Sequence, residues 1–547
     1  MDTQRLVLFV VFSFTLLLLW DAWQKEHAPT PSIPQATVPA PSLGQAPVPG
    51  TKLGATAPVA APAGEALQKG ARIKVKTDLF LAEIDTFGGD IRHLELLKHR
   101  DAENKQKNFV LFDDAPNDIY IAQSGLIGAG LPNHKALFQA TPGMFDLKPG
   151  EKELKVTLDW QGETGIKVSK IFTFHAGSYL VDVSYLVQNG SNAKIDLYAY
   201  YQLLHHGKEA ALNPFMVKTF VGPSVYTEKQ KFQKESFSDI DKGKEVFPKY
   251  SNDGWIAMLQ HYFLSAWLPK NGLNREFYAK RLSDGLYTAG VILPGGVVQP
   301  GASQTVSVPL YAGPQEQDKL KQLAPGLDLT VDYGWLTIIA APLFWVLALI
   351  HKGVGNWGVA IILLTVLIKL AFYPLSAKSY RSMAQMKLLA PKLQKLKEQF
   401  GDDRQRLHQA MMELYKTEKI NPLGGCLPVV VQIPVFISLY WVLLASVELR
   451  HAPFMLWIQD LSTPDPFYVL PIIMGITMII QTRLNPTPPD PIQAKVMMIM
   501  PVAFSVFFFF FPAGLVLYWL VNNILSIAQQ WHITHSLEGA KAGNGKR

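Results

Sequence analysis

The chain has 547 residues, too many for one ordinary domain, so two or more units are expected. Hydrophobic residues make up 48% and charged residues only 17%, below the roughly 25% of soluble proteins, and the deficit is concentrated after residue 332, which reads as membrane-embedded. A net charge of +7 with its basic residues beside apolar spans points to topology rather than specific nucleic acid, and the single cysteine, Cys426, excludes an internal disulfide or a multi-cysteine metal site.

Leu6–Trp20 is an uncharged apolar run after Arg5, followed by no small-x-small cleavage site. Residues 1–27 are therefore read as an uncleaved anchor, with a cytoplasmic N-terminus and the following chain exported. Residues 28–70 are rich in Pro, Ala, Gly, Thr and Ser and too poor in large apolar groups to fold, so they form an extended tether. From residue 71 to 316 the pattern is of strands, as in Ile166–Phe174 and Leu180–Val187, with turn signals at Ala176-Gly177 and Asn189-Gly190. This predicts a large β-sandwich-like domain. His205 and His206 lack carboxylate or cysteine company at ligand spacing and read as ordinary histidines.

Residues 317–355 contain the apolar run Trp335–Ile350, and residues 356–376 contain Val359–Leu375, an apolar helix with Lys369 well inside it. Charge decides which of the two crosses. Residues 377–421 carry ten basic residues within Lys378–Lys419 against five acidic ones, which marks them as cytoplasmic. One crossing must separate them from the exported domain, so Val359–Leu375 spans and Trp335–Ile350 lies along the outer interface. Lys369 then sits about 18 Å into the helix from Trp357, with Thr365 one turn earlier on the same face. A cation at that depth costs about 2.5–3.5 kcal/mol and marks a functional site. A lysine that merely snorkels to the interface is the alternative.

Residues 377–421 read as a helical hairpin. Met386, Leu389, Leu393, Leu396 and Phe400 form an apolar seam, Pro391 kinks or restarts its helix, and Gly401 ends it. Asp402 or Asp403 can cap the second helix, whose stripe is Leu407, Met411 and Leu414. The stripes either pack only on each other, or the methionine-bearing surface (Met383, Met386, Leu389, Met411, Met412) also captures varied apolar segments.

Residues 422–447 cross outward, 448–466 form an exterior loop, 467–482 return, 483–495 make a proline-rich inner turn, and 496–531 are divided into two spans at Pro512-Ala513-Gly514. The basic tail 532–547 ends inside. The count is six spans, five of them a C-terminal core. Spans of fifteen or sixteen apolar residues reach only about 23 Å, so lipid around them is thinned. Gln432, Ser438, Thr477, Ser505, Asn522, Asn523 and Ser526 are polar positions within the spans. Gln432 and the asparagine pair are costly to leave in lipid, so some are expected to face a wetted cavity shared with Lys369.

Asn421–Cys426 (NPLGGC), Trp457–Pro466 (WIQDLSTPDP) and Phe511–Trp519 (FPAGLVLYW) resemble the YidC-type membrane protein insertase family, over essentially all of Asp328–Trp531. The anchor and exported β domain resemble its Gram-negative bacterial branch. The resemblance implies a multi-pass α-helical protein of the inner membrane with a periplasmic all-β supersandwich similar to sugar-mutarotase folds. It also implies a hydrophilic groove open to the cytoplasm and the inner leaflet. The family's groove arginine matches Lys369 here, its groove threonine Thr365, and its two adjacent tyrosines Tyr518 and Trp519. With Gln432, Ser505 and Asn522 these make the expected groove. The implied partners are nascent membrane proteins, membrane lipids, the Sec translocon with its accessory subunits, and the ribosome or signal recognition route. No cofactor is implied and no covalent step. A secondary transporter or channel using Lys369 is the rival from another class; no inverted repeat or second buried charge favours it. A membrane-tethered sugar enzyme in the β domain rests on fold likeness alone.

Overall fold

The computed structural model describes residues 67–544, apart from 103, 117, 208–219, 245, 283–284, 402, 419–426 and 486–490. The expected anchor and all but the end of the tether lie outside these residues. The chain divides into two units, one reaching to Asp332 and the other running from Tyr333, with a three-residue return (Ala445–Val447) to the first.

The first unit is built from two sheets, of ten and eight strands. The alternation read in the sequence produces Ile166–His175 and Leu180–Asn189, paired antiparallel, with Gly177 at φ 67° in the turn between them. Their inward residues, among them Val168, Phe172, Val181, Val183 and Tyr185, are essentially inaccessible to water. In the larger sheet Ile195–His205 pairs with Tyr287–Val298 over its whole length. The core also holds charge. Lys170 is fully buried and donates to the carbonyls of Gly88 (3.0 Å) and Ser124 (3.3 Å). Burial drives Lys170 down and nearby Asp90 up, each towards its neutral form, and the attraction between them opposes both shifts. His205 is a core residue: its Nδ1 accepts the Gly207 N–H at 2.9 Å and its ring stacks on Phe237, so it is committed to packing.

The β unit extends further than the expected boundary at 316. Leu320 and Leu327 are fully buried in the sandwich core, so 317–332 belongs with the sheets rather than with an interfacial segment.

The second unit is helical. Thr337–Val354 (α1) buries Ala340, Phe344 and Leu347 on one side and exposes Ile338, Trp345 and Leu349 on the other. Its 3-4 spacing gives the buried stripe, and Gly355 at φ 70° ends it. Asn356 then caps Trp357–Ala371 (α2), its side chain accepting from Val359 N–H at 3.0 Å. By length and apolarity alone, α1 is the one described helix of 18 residues or more that could cross a bilayer unbroken.

The expected single helix Val359–Leu375 is not continuous. α2 stops at Ala371, and Tyr373–Leu388 (α3) leaves at 67°. The break falls at Phe372, and Pro374 accounts for it: with no N–H to return to Leu370 it cannot continue α2, and it sits instead in the first turn of α3. Ala390–Phe400 (α4) restarts with Pro391 in its first turn, and Arg404–Thr417 (α5) is capped by Asp403, which accepts from Gln405 and Arg406 N–H. A Lys392–Glu418 ion pair (2.6 Å) ties the hairpin at its open end. Leu427–Ala445 (α6), Val469–Leu484 (α7), Pro491–Phe507 (α8) and Ala513–Asn544 (α9) complete the unit. α9 continues well past the expected end at 531, so much of the basic tail is helical.

Candidate functional site

Residues 450–468, joining α6 to α7, hold one end of the helical unit shut. Three helices begin against them. Asn356, ahead of α2, donates to the Phe454 carbonyl at 2.9 Å, and Phe454 lies so close to Gly358 that a Cβ there would come within 2.0 Å of its ring. Asp465, almost fully buried, accepts from Trp457 Nε1 (3.0 Å), Phe467 N–H (3.0 Å) and Leu470 N–H (2.8 Å), so one carboxylate both folds the loop and caps α7. At α9, Ala513 and Gly514 donate to the carbonyls of Thr463 (2.8 Å) and Leu461 (2.9 Å). Asp460 accepts from Ser462 (2.7 Å) and pairs with His451 (2.9 Å). Burial pushes the Asp460 carboxyl up, but these bonds outweigh it and hold it below the usual carboxylate range. The loop is a hydrogen-bonded clasp. The proline-and-aspartate motif of 457–466 and the Phe511–Gly514 turn are the two halves of it.

The polar residues sit away from the clasp. Along α2, Lys369 lies about 18 Å from the helix start, and along α9 Ser526 lies about 20 Å from its own. The two meet: Lys369 Nζ donates to Ser526 Oγ at 2.7 Å, and Lys369 is 9% exposed. Ser526 donates in turn to the Asn522 carbonyl at 2.6 Å, and the Tyr380 side chain of α3 lies close by. Beside them Gln432 of α6 donates to the Asn522 side chain at 2.7 Å and neighbours the Tyr518 hydroxyl. Tyr518, Asn522 and Ser526 follow one another at four-residue spacing, so they share a face of α9. Among the described residues no carboxylate lies within ion-pair distance of Lys369.

Lys369, Gln432, Tyr518 and Asn522 lie together in one cluster, and three other residues expected to line the groove make no hydrogen bond to it among the described residues. Thr365 is fully buried, its hydroxyl spent on the Ile361 carbonyl of its own helix (2.7 Å). Ser505 donates to the Pro471 carbonyl of α7 (2.8 Å), where it packs on Gly475, and joins the cluster by no hydrogen bond among the described residues. Trp519 is wedged between Phe436 (4.5 Å) and Phe508 (5.6 Å), and its indole N–H meets no acceptor among the described residues. Asn523 faces α7 instead, donating to Thr477 at 3.5 Å. Sequence reasoning missed Ser526 as the partner of the lysine and Tyr380 as a neighbour of that serine. The 518–522–526 spacing could have supplied the serine; nothing local points to the tyrosine, which arrives only through the bend at Pro374.

On the hairpin, Met412 is exposed, Met386 and Met411 are half-buried, and Met383 takes the Ser379 hydroxyl on its sulfur (4.0 Å). Leu389 is buried where α3 meets α4 and offers no surface.

A family model described as the YidC periplasmic domain matches residues 72–346, and one described as the 60Kd inner membrane protein matches 349–540. The chain is 60% identical to the "Membrane protein insertase YidC" of Methylobacillus flagellatus over 556 residues, covering all of both chains. It is 59% identical to the protein of that name in Nitrosospira multiformis over 565 residues, covering all of this chain and 99% of the other. Among solved structures, "Active YidC insertase crystal structure with the first transmembrane domain resolved" aligns with 84% of this chain and 92% of its own, at 18% identity and a TM-score of 0.41. The chain belongs to the YidC family of membrane protein insertases, in the branch that carries a periplasmic domain.

Proposed function

We propose that a client segment enters beside the Lys369 cluster from the end opposite the clasp, and that the cluster receives the polar part of the client that must cross. The observation carrying this is a buried cation whose described partner is a neutral hydroxyl. Lysine has three donors, and one serine oxygen takes one of them. An arriving carboxylate adds an ion pair that no described residue supplies to Lys369.

The energetic logic follows from the bilayer. About twenty apolar residues partition into lipid favourably; a polar tail does not. A wetted groove extending partway in shortens the polar crossing. α2, with 15 residues, and α7, with 16, are roughly 23 Å long, so thinned lipid shortens it again. No covalent step is needed. The basic residues of 377–421 make the open end cytoplasmic and the clasp end periplasmic. On that reading both termini are cytoplasmic, α1 lies along the outer interface, and the core has five spans with a sixth in the N-terminal anchor. Work beside the Sec translocon, and delivery by the ribosome, rest on family likeness alone.

A photoreactive residue at Gln432 should crosslink to a short nascent membrane protein, and one at Phe454 in the clasp should not. Equal crosslinking at both ends would remove the asymmetry on which the reading rests. The hairpin is tested in the same way. A probe at exposed Met412 should capture the nascent chain before insertion and one at buried Leu389 should not; capture at neither leaves the hairpin's stripes with packing alone.

A further inference from the structure

Lysine has a flexible stem and can reach the interface from this depth, yet Lys369 points inward to α9. Ser526 explains the difference. A hydroxyl has one donor and two acceptor lone pairs. The donor is committed to the Asn522 carbonyl one turn back along α9, at 2.6 Å. Both lone pairs are therefore turned outward from the helix. One of them meets the Lys369 ammonium at 2.7 Å. The serine's orientation is thus set by its own helix and not by the lysine. Its position is set as well, because α2 and α9 both start on the clasp and run about 18–20 Å to reach each other here. Gln529 of α9 adds a bond to the Tyr373 carbonyl, at 3.3 Å, just past the bend.

We propose that Ser526 is a positioning residue for the insertion reaction: it holds the Lys369 ammonium inside the helical bundle and hands it to an acidic client residue, so that it sets the preference for clients with acidic tails. The inference rests on the reading of Lys369 given above and deepens it. Because the holding acceptor is neutral, an incoming carboxylate displaces it without having to break an ion pair. A carboxylate at 526 would close the site to such clients, and a bare methyl would leave the ammonium to swing outward.

The test uses the full-length protein in lipid vesicles and two versions of one client, differing only in Asp or Asn at a single position of the translocated tail. The quantity read is the ratio of acidic-tail to neutral-tail insertion. Ser526→Ala should lower the ratio about tenfold, the acidic-tail client losing more than the neutral one. Ser526→Thr, which keeps the oriented oxygen, should restore the ratio. If the alanine variant is not recovered folded, Ser526→Cys, similar in size but a weak acceptor, reads the same ratio. A ratio unchanged in Ser526→Ala or Ser526→Cys but lowered in Lys369→Ala overturns the positioning role and spares the reading of Lys369. A ratio unchanged in Lys369→Ala overturns that reading and this inference together. An equal loss for both clients would mark Ser526 as a packing residue only.

Discussion

Replacing Lys369 by alanine should lower insertion of a client with an acidic translocated tail by at least about tenfold and leave a neutral-tail client nearly unaffected. The size follows from the bond in question: a hydrogen bond to a charged group is worth about 1.5–3 kcal/mol, and each 1.4 kcal/mol is about tenfold. Lys369→Glu should abolish insertion of the acidic client, since a buried like charge replaces the attractive one. Lys369→Arg should be tolerated within a few-fold, because the charge stays while Ser526 can accept only part of the guanidinium fork. Insertion of both clients in vesicles, normalised to the amount of folded protein, checks all three. Normal insertion of the acidic client by Lys369→Ala would reduce the lysine to a snorkelling residue.

The second large effect is expected at the clasp, and it is one of stability. Asp465→Ala removes the acceptor of three N–H groups, on Trp457, Phe467 and Leu470, around a carboxylate that is 1% exposed. Each buried donor left without a partner costs about 1–3 kcal/mol, so the loss should reach several kcal/mol. Asp465→Asn keeps one acceptor oxygen and should fall between. Thermal unfolding of the purified protein, together with protease cutting within 450–468, reads the effect. An unchanged midpoint in Asp465→Ala would mean that the clasp is held by its backbone bonds alone.

Much of this was legible in the sequence where the determinant is local. Alternation over 166–187 is enough for two paired strands, and Pro391 and Asp403 fix the start of one hairpin helix and the cap of the next because both act within a turn. Lys369 stands out by cost alone. What escaped depends on partners far apart in the chain. Ser526 is 157 residues from the lysine it holds. Leu320 and Leu327 look like the start of a membrane-proximal segment until the sandwich buries them. That the loop 450–468 closes one end of the bundle emerges only when α2, α7 and α9 are seen to begin on it, α7 on the Asp465 carboxylate and the other two on loop carbonyls. Thr365 and Ser505 were polar and in plausible places, but each already had a carbonyl to bond, as hydroxyls in helices commonly do.

The interruption at Pro374 has an electrostatic consequence. A helix carries about half a negative elementary charge at its C-terminal end, felt over the last turn. Were α2 and α3 one rod, that pole would lie near Leu388, far from Lys369. Because the rod is cut, α2 ends at Ala371 with Lys369 in its final turn, and the carbonyl dipoles of this helix supply a fractional counter-charge there. That is worth about 0.3–1 kcal/mol or somewhat more where water is scarce. The proline therefore helps the bundle carry a cation that has no carboxylate partner among the described residues, where one would compete with the incoming client.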